Sequence, residues 1–293
     1  MNVTTAIILA SGFGSRSLPV TAGVQKEMLP ILNRPVVDYV VEDCLKAGIT
    51  RIIFVVRPGS RQLQDLYLGT PTLDTYLQRY GKQQSLESLQ ALRQRAQFEF
   101  IDQPADAGYG NGVPVRIARS LLAADEAAVI CDGDAFVYRA DGKSEIAGLI
   151  ETFRTAGGAV TGLPFASDQL HKYGVMVTRT QNGQDYLGGF VEKPAPGMAP
   201  SDLVNMSKHV MTSVMFDYVD RLEINPSSGE FFITDAILAC ALEYPVAVHH
   251  AQGKFLDAGN TAGWLEANLV MAQADPALAA VVEATTRQLA SVN

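Results

Sequence analysis

A glycine-rich stretch near the amino terminus has the composition of a phosphate-binding loop. It reads 9-LASGFGSRSLPVTAGVQKEMLP-30, carries Arg16 and Lys26, and overlaps the end of the apolar run 6–9. Glycines let backbone N–H groups approach phosphate oxygens, and the two cations can offset phosphate charge. The stretch therefore predicts a site for a phosphorylated ligand.

The spacing within this stretch excludes a P-loop and disfavours a dinucleotide fingerprint. A P-loop places its lysine directly after the second glycine of G-x-x-x-x-G-K-[ST], whereas Lys26 follows Gln25. The dinucleotide motif G-x-G-x-x-G needs a third glycine where Ser17 stands, and Pro19 prevents a helix from starting there. Another class of phosphate loop is required.

Carboxylates that suit a metal ion occur at two later points. Asp132 and Asp134 follow the apolar run 127–131, and Asp257 lies in 256-LDAGN-260. Mg²⁺ takes oxygen ligands and is usually held by one or two carboxylates together with substrate phosphates. Each site also has an ordinary interpretation, because 132-DGD-134 has the composition of a turn and Asp257 suits a helix N-terminus. Arg16 and Lys26 could likewise be solvated charges.

The elements that must position these residues alternate between strand and helix. Short apolar runs predict strands at 6–10, 51–56, 98–101, 127–131, 159–163 and 246–249, with a β-rich stretch at 173–191. Helical periodicity predicts helices at 36–47, 116–124, 145–155, 234–242 and 261–273, with a helical excursion at about 61–96. This order predicts an α/β fold with a parallel sheet, whose ligands bind beyond the carboxyl ends of the strands.

Length, charge and cysteine usage narrow the class of protein. The chain has 293 residues, of which 47% are apolar, so one large domain can be built. The net charge of -8 argues against non-specific binding to nucleic acid. No apolar run approaches the ~20 residues of a membrane helix, and no signal peptide is recognisable at the start. The three cysteines lack zinc or disulfide spacing and predict buried free thiols in the cytoplasm: Cys44, Cys131 and Cys240.

The order of the motifs over residues 5–272 resembles that in the sugar-phosphate nucleotidylyltransferases, most closely the bacterial UTP–glucose-1-phosphate uridylyltransferases. The segment 11-SGFGSRSLP-19 is similar to the family's A-G-x-G-T-R-x-L-P, and 26-KEMLP-30 matches it without change. Gln103 with 108-GYGNGV-113 resembles the base-binding glutamine and the G-L-G-H-A-V loop. Further matches follow at 173-YGV-175, 191-VEKP-194, Glu230 with 234-TDAI-237, and 257-DAGN-260.

The resemblance implies a fold, a reaction and partners. The fold is a three-layer, Rossmann-like nucleotidyltransferase domain over residues 1–260, with a mixed, mostly parallel sheet and a C-terminal helical segment at 261–293. In the reaction, an oxygen of a sugar 1-phosphate attacks the α-phosphorus of UTP, and pyrophosphate leaves. Glucose 1-phosphate is the expected sugar phosphate, Mg²⁺ the expected cofactor, and a homodimer or homotetramer the expected assembly.

The nucleotide-binding residues that the resemblance implies lie in the first two motifs. Gln103 and Gly108 are expected to read the base edge, because uracil presents one N–H donor between two carbonyl acceptors. Arg16 and Lys26 are expected to face the phosphates as catalytic cations. The other residues border the base or give the nucleotide room: Ala10, Ser11, Gly12, Gly14 and Glu27.

The later motifs supply the residues expected to bind metal and sugar phosphate. By the resemblance, Asp134 and Asp257 ligate Mg²⁺. Glu192 accepts hydrogen bonds from sugar hydroxyls, Lys193 pairs with the sugar phosphate as a catalytic cation, and Gly174 leaves space for the sugar.

Some positions depart from the family pattern and keep alternatives open. The family's second loop lysine is replaced by Ala22, and its G-R-Y-V-L is replaced by 207-SKHVM-211. Lys208 or His209 could supply the missing charge if another sugar phosphate were used. Asp132 is an alternative metal ligand. The alternatives for function are the same chemistry with dTTP or another sugar, and a catalytically weak homologue that binds nucleotide sugars and regulates.

Three further residue types have ordinary interpretations beside functional ones. His249 and His250 are expected to end a strand, since adjacent histidines lack metal-ligand spacing. Trp264 belongs either to the core or to an oligomer contact. Tyr109, in the second glycine loop, either stacks on a base or packs against the protein.

Overall fold

The computed structural model describes residues 2–156, 158–165 and 168–290, which form alternating strands and helices. The strands are β1 (Thr5–Ala10), β2 (Pro30–Ile31), β3 (Arg34–Pro35), β4 (Arg51–Val56), β5 (Gln97–Asp102), β6 (Ala128–Asp132), β7 (Ala135–Tyr138), β8 (Ala159–Pro164), β9 (Gly174–Gln181), β10 (Gln184–Glu192), β11 (Leu203–Met211), β12 (Ala247–His250) and β13 (Lys254–Asp257). The α-helices are α1 (Val36–Lys46), α2 (Gln62–Tyr67), α3 (Pro71–Arg79), α4 (Gln83–Arg93), α5 (Gly112–Ala118), α6 (Glu145–Ala156), α7 (Ser213–Asp220), α8 (Ile233–Glu243), α9 (Thr261–Ala274) and α10 (Pro276–Ala290).

One mixed sheet organises the fold, in the order β5-β4-β1-β6-β11-β8-β12-β10-β9. The strands β5, β4, β1 and β6 are mutually parallel, as are β8 and β12. Only β11 and β10, among the described strands of this sheet, run against the common direction. Two small antiparallel pairs, β2–β3 and β7–β13, lie outside it. The predicted α/β class with a mixed, mostly parallel sheet is confirmed.

The sheet is covered on both faces because successive side chains of a strand point to opposite sides. On β1, Ile8 packs into a core with α1 and α6, whereas Ile7 packs into a second core with α5, α7 and α8. On β4, Phe54 likewise packs into the first core and Ile53 into the second. Burying each such side chain contributes about 1.5–3 kcal/mol relative to leaving it exposed. The two cores therefore fix the parallel strands, and with them the loops at their carboxyl ends.

The predicted boundaries lie close to the observed ones for most elements. The sequence does not predict the strand in the middle of the sheet. The helix expected at 116–124 begins earlier, as α5, and gives way to a short 3-10 turn at Arg119–Leu121. Strand β11 was not predicted, although it lies between β6 and β8. Its sequence, LVNMSKHVM, has neither a continuous apolar run nor strict alternation. A bulge between Asn205 and His209, with Ser207 at φ 53°, interrupts its register.

The excursion and the C-terminal segment are helical, as predicted. Pro71 occupies the first turn of α3, and Gly81 separates α3 from α4. Helix α9 buries only Ala267 and α10 buries no residue of the described chain. Residues 291–293 of the predicted segment 261–293 lie outside the described residues. The division at residue 260 and the homo-oligomer stay predictions.

Two expectations from composition can be compared with the structure directly. All three cysteines are free and buried, as predicted. None of the helices in the described part of the chain combines the length and apolar character needed to span a bilayer.

Candidate active site at the carboxyl ends of the parallel strands

A cavity of about 750 Å³ opens where β1, β4, β5 and β6 end. Small-molecule pockets typically enclose about 300–1,000 Å³, so the space suits a nucleotide. The first glycine loop forms one wall and the second glycine loop forms another. Predicted residues that line the cavity are Ser11, Gly12, Gly14, Arg16, Lys26, Gln103, Gly108 and Asp132.

The first glycine loop folds tightly around the side chain of Lys26. Gly14 has φ 66°, and a methyl group added there would stand 3.0 Å from Cγ2 of Thr21 and 3.2 Å from Cβ of Lys26. A methyl group at Gly12 would meet Cε of Lys26 at 3.3 Å. The Thr21 hydroxyl donates to the Gly14 carbonyl at 2.8 Å, which closes the turn. Both glycines are thus needed for the loop to pass this close to the lysine.

Lys26 joins this loop to the end of the central strand. Its Nζ lies 2.7 Å from Oδ2 of Asp134 and 3.6 Å from Oε1 of the buried Glu27. Burial opposes its charge, but the carboxylates of Asp134 and Glu27 hold the pKa of Lys26 above its ordinary value. Burial likewise opposes ionisation of Asp134, yet Lys26 keeps the pKa of Asp134 below its ordinary value. Both groups are therefore charged at neutral pH.

Two carboxylates and a guanidinium converge around Gly259. A methyl group added at Gly259 would stand 2.6 Å from Oδ2 of Asp134, 2.9 Å from Oδ1 of Asp257 and 3.3 Å from a terminal nitrogen of Arg16. Burial and the charge of Asp134 raise the pKa of Asp257, as expected for neighbouring carboxylates. The structure thus brings together Asp134, in the turn between β6 and β7, and Asp257, the last residue of β13, because β13 pairs with β7.

Of the remaining predicted residues at this end of the sheet, Asp132 lines the cavity, whereas Glu27 and Ala10 lie behind it. Burial, reinforced by the charge of Asp134, raises the pKa of Glu27 to about 7 and that of Asp132 to about 6. Glu27 is fully buried and does not line the cavity. Ala10 is also buried, and its carbonyl accepts a hydrogen bond of 2.8 Å from the side-chain amide of Gln25. Their contribution is to support the loop.

The second glycine loop places the side-chain amide of Gln103 opposite the first glycine loop. Ser11 donates its hydroxyl to Oε1 of Gln103 at 2.6 Å, and Nε2 of Gln103 donates to the Gly108 carbonyl at 3.3 Å. These bonds fix the plane of the amide at the cavity wall. Gly110, at φ 118°, lies so close to Phe231 that an added methyl group would be 2.3 Å from the Phe231 carbonyl oxygen. The loop therefore rests against residues that lead into α8.

The structure does not bring the predicted sugar-phosphate residues into this cavity. Gly174 and Glu192 are paired across β9 and β10, and the side chains of Glu192 and Lys193 are 74% and 66% exposed. Tyr173 is bonded to this segment, because its carbonyl accepts from the backbone N–H of Lys193 at 3.0 Å. Burial and the charge of Asp257 raise the pKa of Tyr173. Glu192 and Lys193 are thus exposed and lie outside the lining of the cavity.

Two positions that the sequence offered as substitute cations do not act at the cavity. Lys208 and His209 are 1% exposed, and Nζ of Lys208 donates to the Ala135 carbonyl at 3.1 Å. Burial, with the charge of Lys208, lowers the pKa of His209 to about 3, so the imidazole is neutral. Neither side chain lines the cavity, and the hypothesis that one of them replaces the missing lysine is wrong.

The histidines, the tryptophan and the tyrosine for which the sequence also offered a structural role can now be placed. His249 contacts Glu145 at 3.1 Å, and His250 contacts Asp185 at 2.8 Å, at the end of β12 as predicted. Trp264 donates its indole N–H to the Pro30 carbonyl at 2.9 Å and packs partly against the core. Tyr109 is 71% exposed and lines the cavity.

Several residues that line the cavity were not singled out as site residues: Phe13, Arg57, Asp106 and Glu230. Arg57 follows β4 directly, and Asp106 follows β5 within the second loop. In a parallel sheet, ligands bind beyond the carboxyl ends of the strands. This rule holds for the end of β4 as well as for the glycine loops. It would have identified Arg57 from the sequence.

Comparison with known proteins places this chain beside enzymes of nucleotide-sugar metabolism. The model of the Nucleotidyl transferase family matches residues 5–274. The chain is 31% identical over 289 residues to the UTP–glucose-1-phosphate uridylyltransferase of Staphylococcus epidermidis, covering 98% of both chains. It is 31% identical over 277 residues to that of Bacillus subtilis, covering 94% of this chain and 93% of the other.

Solved structures agree with the fold. The chain is similar to the UTP-bound UGPase of Acinetobacter baumannii, with a TM-score of 0.88 and 24% identity over 98% of this chain and 100% of that one. It is also similar to a UDP-glucose pyrophosphorylase complexed with UDP-glucose, with a TM-score of 0.81 and 23% identity over 94% of this chain and 100% of the other. The resemblance indicated by the motifs is confirmed.

Proposed function

The chain belongs to the nucleotidyl transferase family, and from this premise we propose that it transfers UMP from UTP to glucose 1-phosphate. The products are UDP-glucose and pyrophosphate. The observation that carries the proposal is the convergence of two cations and two carboxylates around Gly259, which lines a cavity walled by two glycine loops: Arg16, Lys26, Asp134 and Asp257.

The reaction needs alignment and charge compensation, and it needs no protein nucleophile. The attacking oxygen belongs to a phosphate that is already ionised, so the protein has to hold it in line with the α-phosphorus. Lys26 and Arg16 offset the charge that develops on the transferring phosphate. Lys26 is well suited to this role because Asp134 holds its Nζ in place and keeps it protonated.

The carboxylates fit a divalent metal ion of the Mg²⁺ type. Asp134 and Asp257 present hard oxygen donors toward one point, with only glycine between them. The described residues contain no cluster of three or more His, Cys, Asp or Glu that could hold a metal ion. A site with two carboxylates that is completed by phosphate and water oxygens is what Mg²⁺ accepts. When bound, Mg²⁺ would supply charge neutralisation at the α-phosphate.

Substrate discrimination is assigned to the loops on either side of this centre. The fixed amide of Gln103 offers a donor and an acceptor to the edge of uracil, and exposed Tyr109 offers a ring on which a base can stack. Glu192 and Lys193 are exposed and 3.9 Å apart, and they are assigned to the sugar hydroxyls and the sugar phosphate respectively. Gly174 leaves room for the sugar beside them.

A pyrophosphate-release panel tests the function. Four ribonucleoside triphosphates and dTTP are combined with several sugar 1-phosphates, with and without Mg²⁺. We expect the highest kcat/KM for UTP with glucose 1-phosphate, and turnover only when the metal is present. Higher kcat/KM with dTTP or another sugar phosphate would change the assigned substrate. Tight binding of nucleotide sugars without pyrophosphate release from any pair would instead identify a regulatory homologue.

The base preference is tested at Gln103. We expect Gln103→Ala to weaken UTP binding by about tenfold more than ATP binding, since buried polar groups that lose a partner cost about 1–3 kcal/mol. Affinities are measured by calorimetry. Gln97→Ala, at the exposed start of β5, the strand that precedes Gln103, is the matched control. Equal losses for all nucleotides would show that Gln103 only braces Ser11 and the loop.

A further inference from the structure

Arg57 is a cation at the cavity whose charge no carboxylate of the described chain neutralises. It lines the cavity together with Arg16 and Lys26. Its guanidinium carbon lies 5.3 Å from the centroid of the Phe13 ring, and this stacking is the interaction that the described residues provide for it. Phe13 belongs to the first glycine loop and is 73% exposed. In a chain of net charge -8, an unpaired guanidinium at this place implies an anionic ligand.

The segment that carries Arg57 is fastened to the part of the loop that contains Ala22. Ser60 donates its hydroxyl to Oε1 of Gln25 at 2.6 Å, and the Gln25 backbone N–H donates to Oε1 of Gln62 at 2.9 Å. Nε2 of Gln62 donates to the Gly23 carbonyl at 3.1 Å. The residues that follow Arg57 are therefore bonded to the turn that contains Ala22.

We propose that Arg57 binds the β- and γ-phosphates of the nucleoside triphosphate, and pyrophosphate in the reverse direction, as the cation that replaces a lysine at position 22. The inference rests on the proposed function. A guanidinium presents paired N–H donors that match two phosphate oxygens, and its hydration is weaker than that of an ammonium group. Stacking on Phe13 restricts the side chain before the ligand arrives, which lowers the entropy cost of binding.

The alternative is a solvated arginine that contacts no ligand. Its prediction differs in size, because a solvated charge acts only through the screened general field, so its removal weakens UTP binding slightly and UMP binding less, as it would for Arg61→Ala. A phosphate contact beyond the α-position is specific to UTP. The comparison of triphosphate with monophosphate therefore isolates the proposed contact and requires no turnover.

The test measures binding of UTP and UMP to Arg57→Ala by calorimetry. We expect UTP affinity to fall about tenfold or more, as for a lost charge-assisted hydrogen bond, and UMP affinity to change by less than about twofold. Arg61→Ala is the matched control, since it removes the same charge from an exposed position on the same segment that does not line the cavity. Equal losses for UTP and UMP, or no loss, would overturn the proposal.

A second variant tests whether Arg57 takes the place of a cation at position 22. Adding Ala22→Lys to Arg57→Ala is expected to restore most of the UTP affinity, because position 22 is exposed and lies in the turn that touches the Arg57 segment. No recovery would overturn the claim that Arg57 takes over from a cation at that position. If the panel selects another base, the same comparison is made with that triphosphate and its monophosphate. A failure of the uridine assignment is thereby distinguished from a failure of Arg57.

Discussion

Asp134→Asn is expected to lower kcat by about 100-fold or more, because a bound metal ion supplies several kcal/mol of transition-state charge stabilisation. Asparagine keeps the shape of the side chain and removes its anionic oxygen. The loss has two parts: a weaker metal site, and a Lys26 ammonium without the carboxylate that now holds it at 2.7 Å. Turnover is measured over a Mg²⁺ titration, so that a lower affinity for the metal is separated from a lower maximal rate.

Two comparisons show whether the effect belongs to the metal site. Asp257→Asn is expected to cause a loss of similar size, since its Oδ1 faces the same point as Oδ2 of Asp134. Asp141→Asn, at an exposed carboxylate that pairs with Arg139, is the control and is expected to leave turnover unchanged. Near-native turnover of Asp134→Asn at saturating Mg²⁺ would show that Asp134 is not a ligand. Asp132, which lines the cavity two residues earlier, would then be tested in its place.

The parts of the fold that the sequence predicts well are those decided by local pattern. The runs that became β1, β4 and β6 are short, apolar and bounded by turn residues, so their burial on both faces can be read directly. Strand β11 is different. Its buried Lys208 and its bulge near Ser207 are stabilised by neighbours that are distant in sequence. A local sequence pattern does not contain these neighbours and therefore cannot predict the strand.

The same distinction applies to the site. The glycine loop and 132-DGD-134 are contiguous motifs, so the sequence presents them as candidate phosphate and metal sites, with a plain turn as the alternative for the second. The approach of Asp257 to Asp134 depends on the pairing of β13 with β7, which only tertiary structure shows. Here the family resemblance supplied what spacing could not. Arg57 belongs to no motif, so only its position directly after β4 indicates a place at the site, and its contact with Phe13 of another loop requires the structure.

Gly259→Ala tests the geometry of the carboxylates without changing any charge. The added methyl group would stand 2.6 Å from Asp134 and 2.9 Å from Asp257, closer than carbon and oxygen atoms approach without a bond, so the carboxylates must move apart. The backbone of Gly259 is not in the left-handed region, so the substitution adds no strain of its own. We expect kcat to fall by about 100-fold, as for loss of a metal ligand. We also expect the Mg²⁺ concentration needed for half-maximal turnover to rise.

The control for this variant is Gly23→Ala, in the turn beside the cavity, where an added methyl group meets nothing within 4 Å. Its turnover is expected to equal that of the unchanged chain. The decisive measurement combines Gly259→Ala with Asp134→Asn. If both variants damage one metal site, the double variant is little worse than either single variant, because residues that act as a unit are not additive. Losses that multiply would mean that Gly259 and Asp134 act independently, and that the two carboxylates do not share a metal ion.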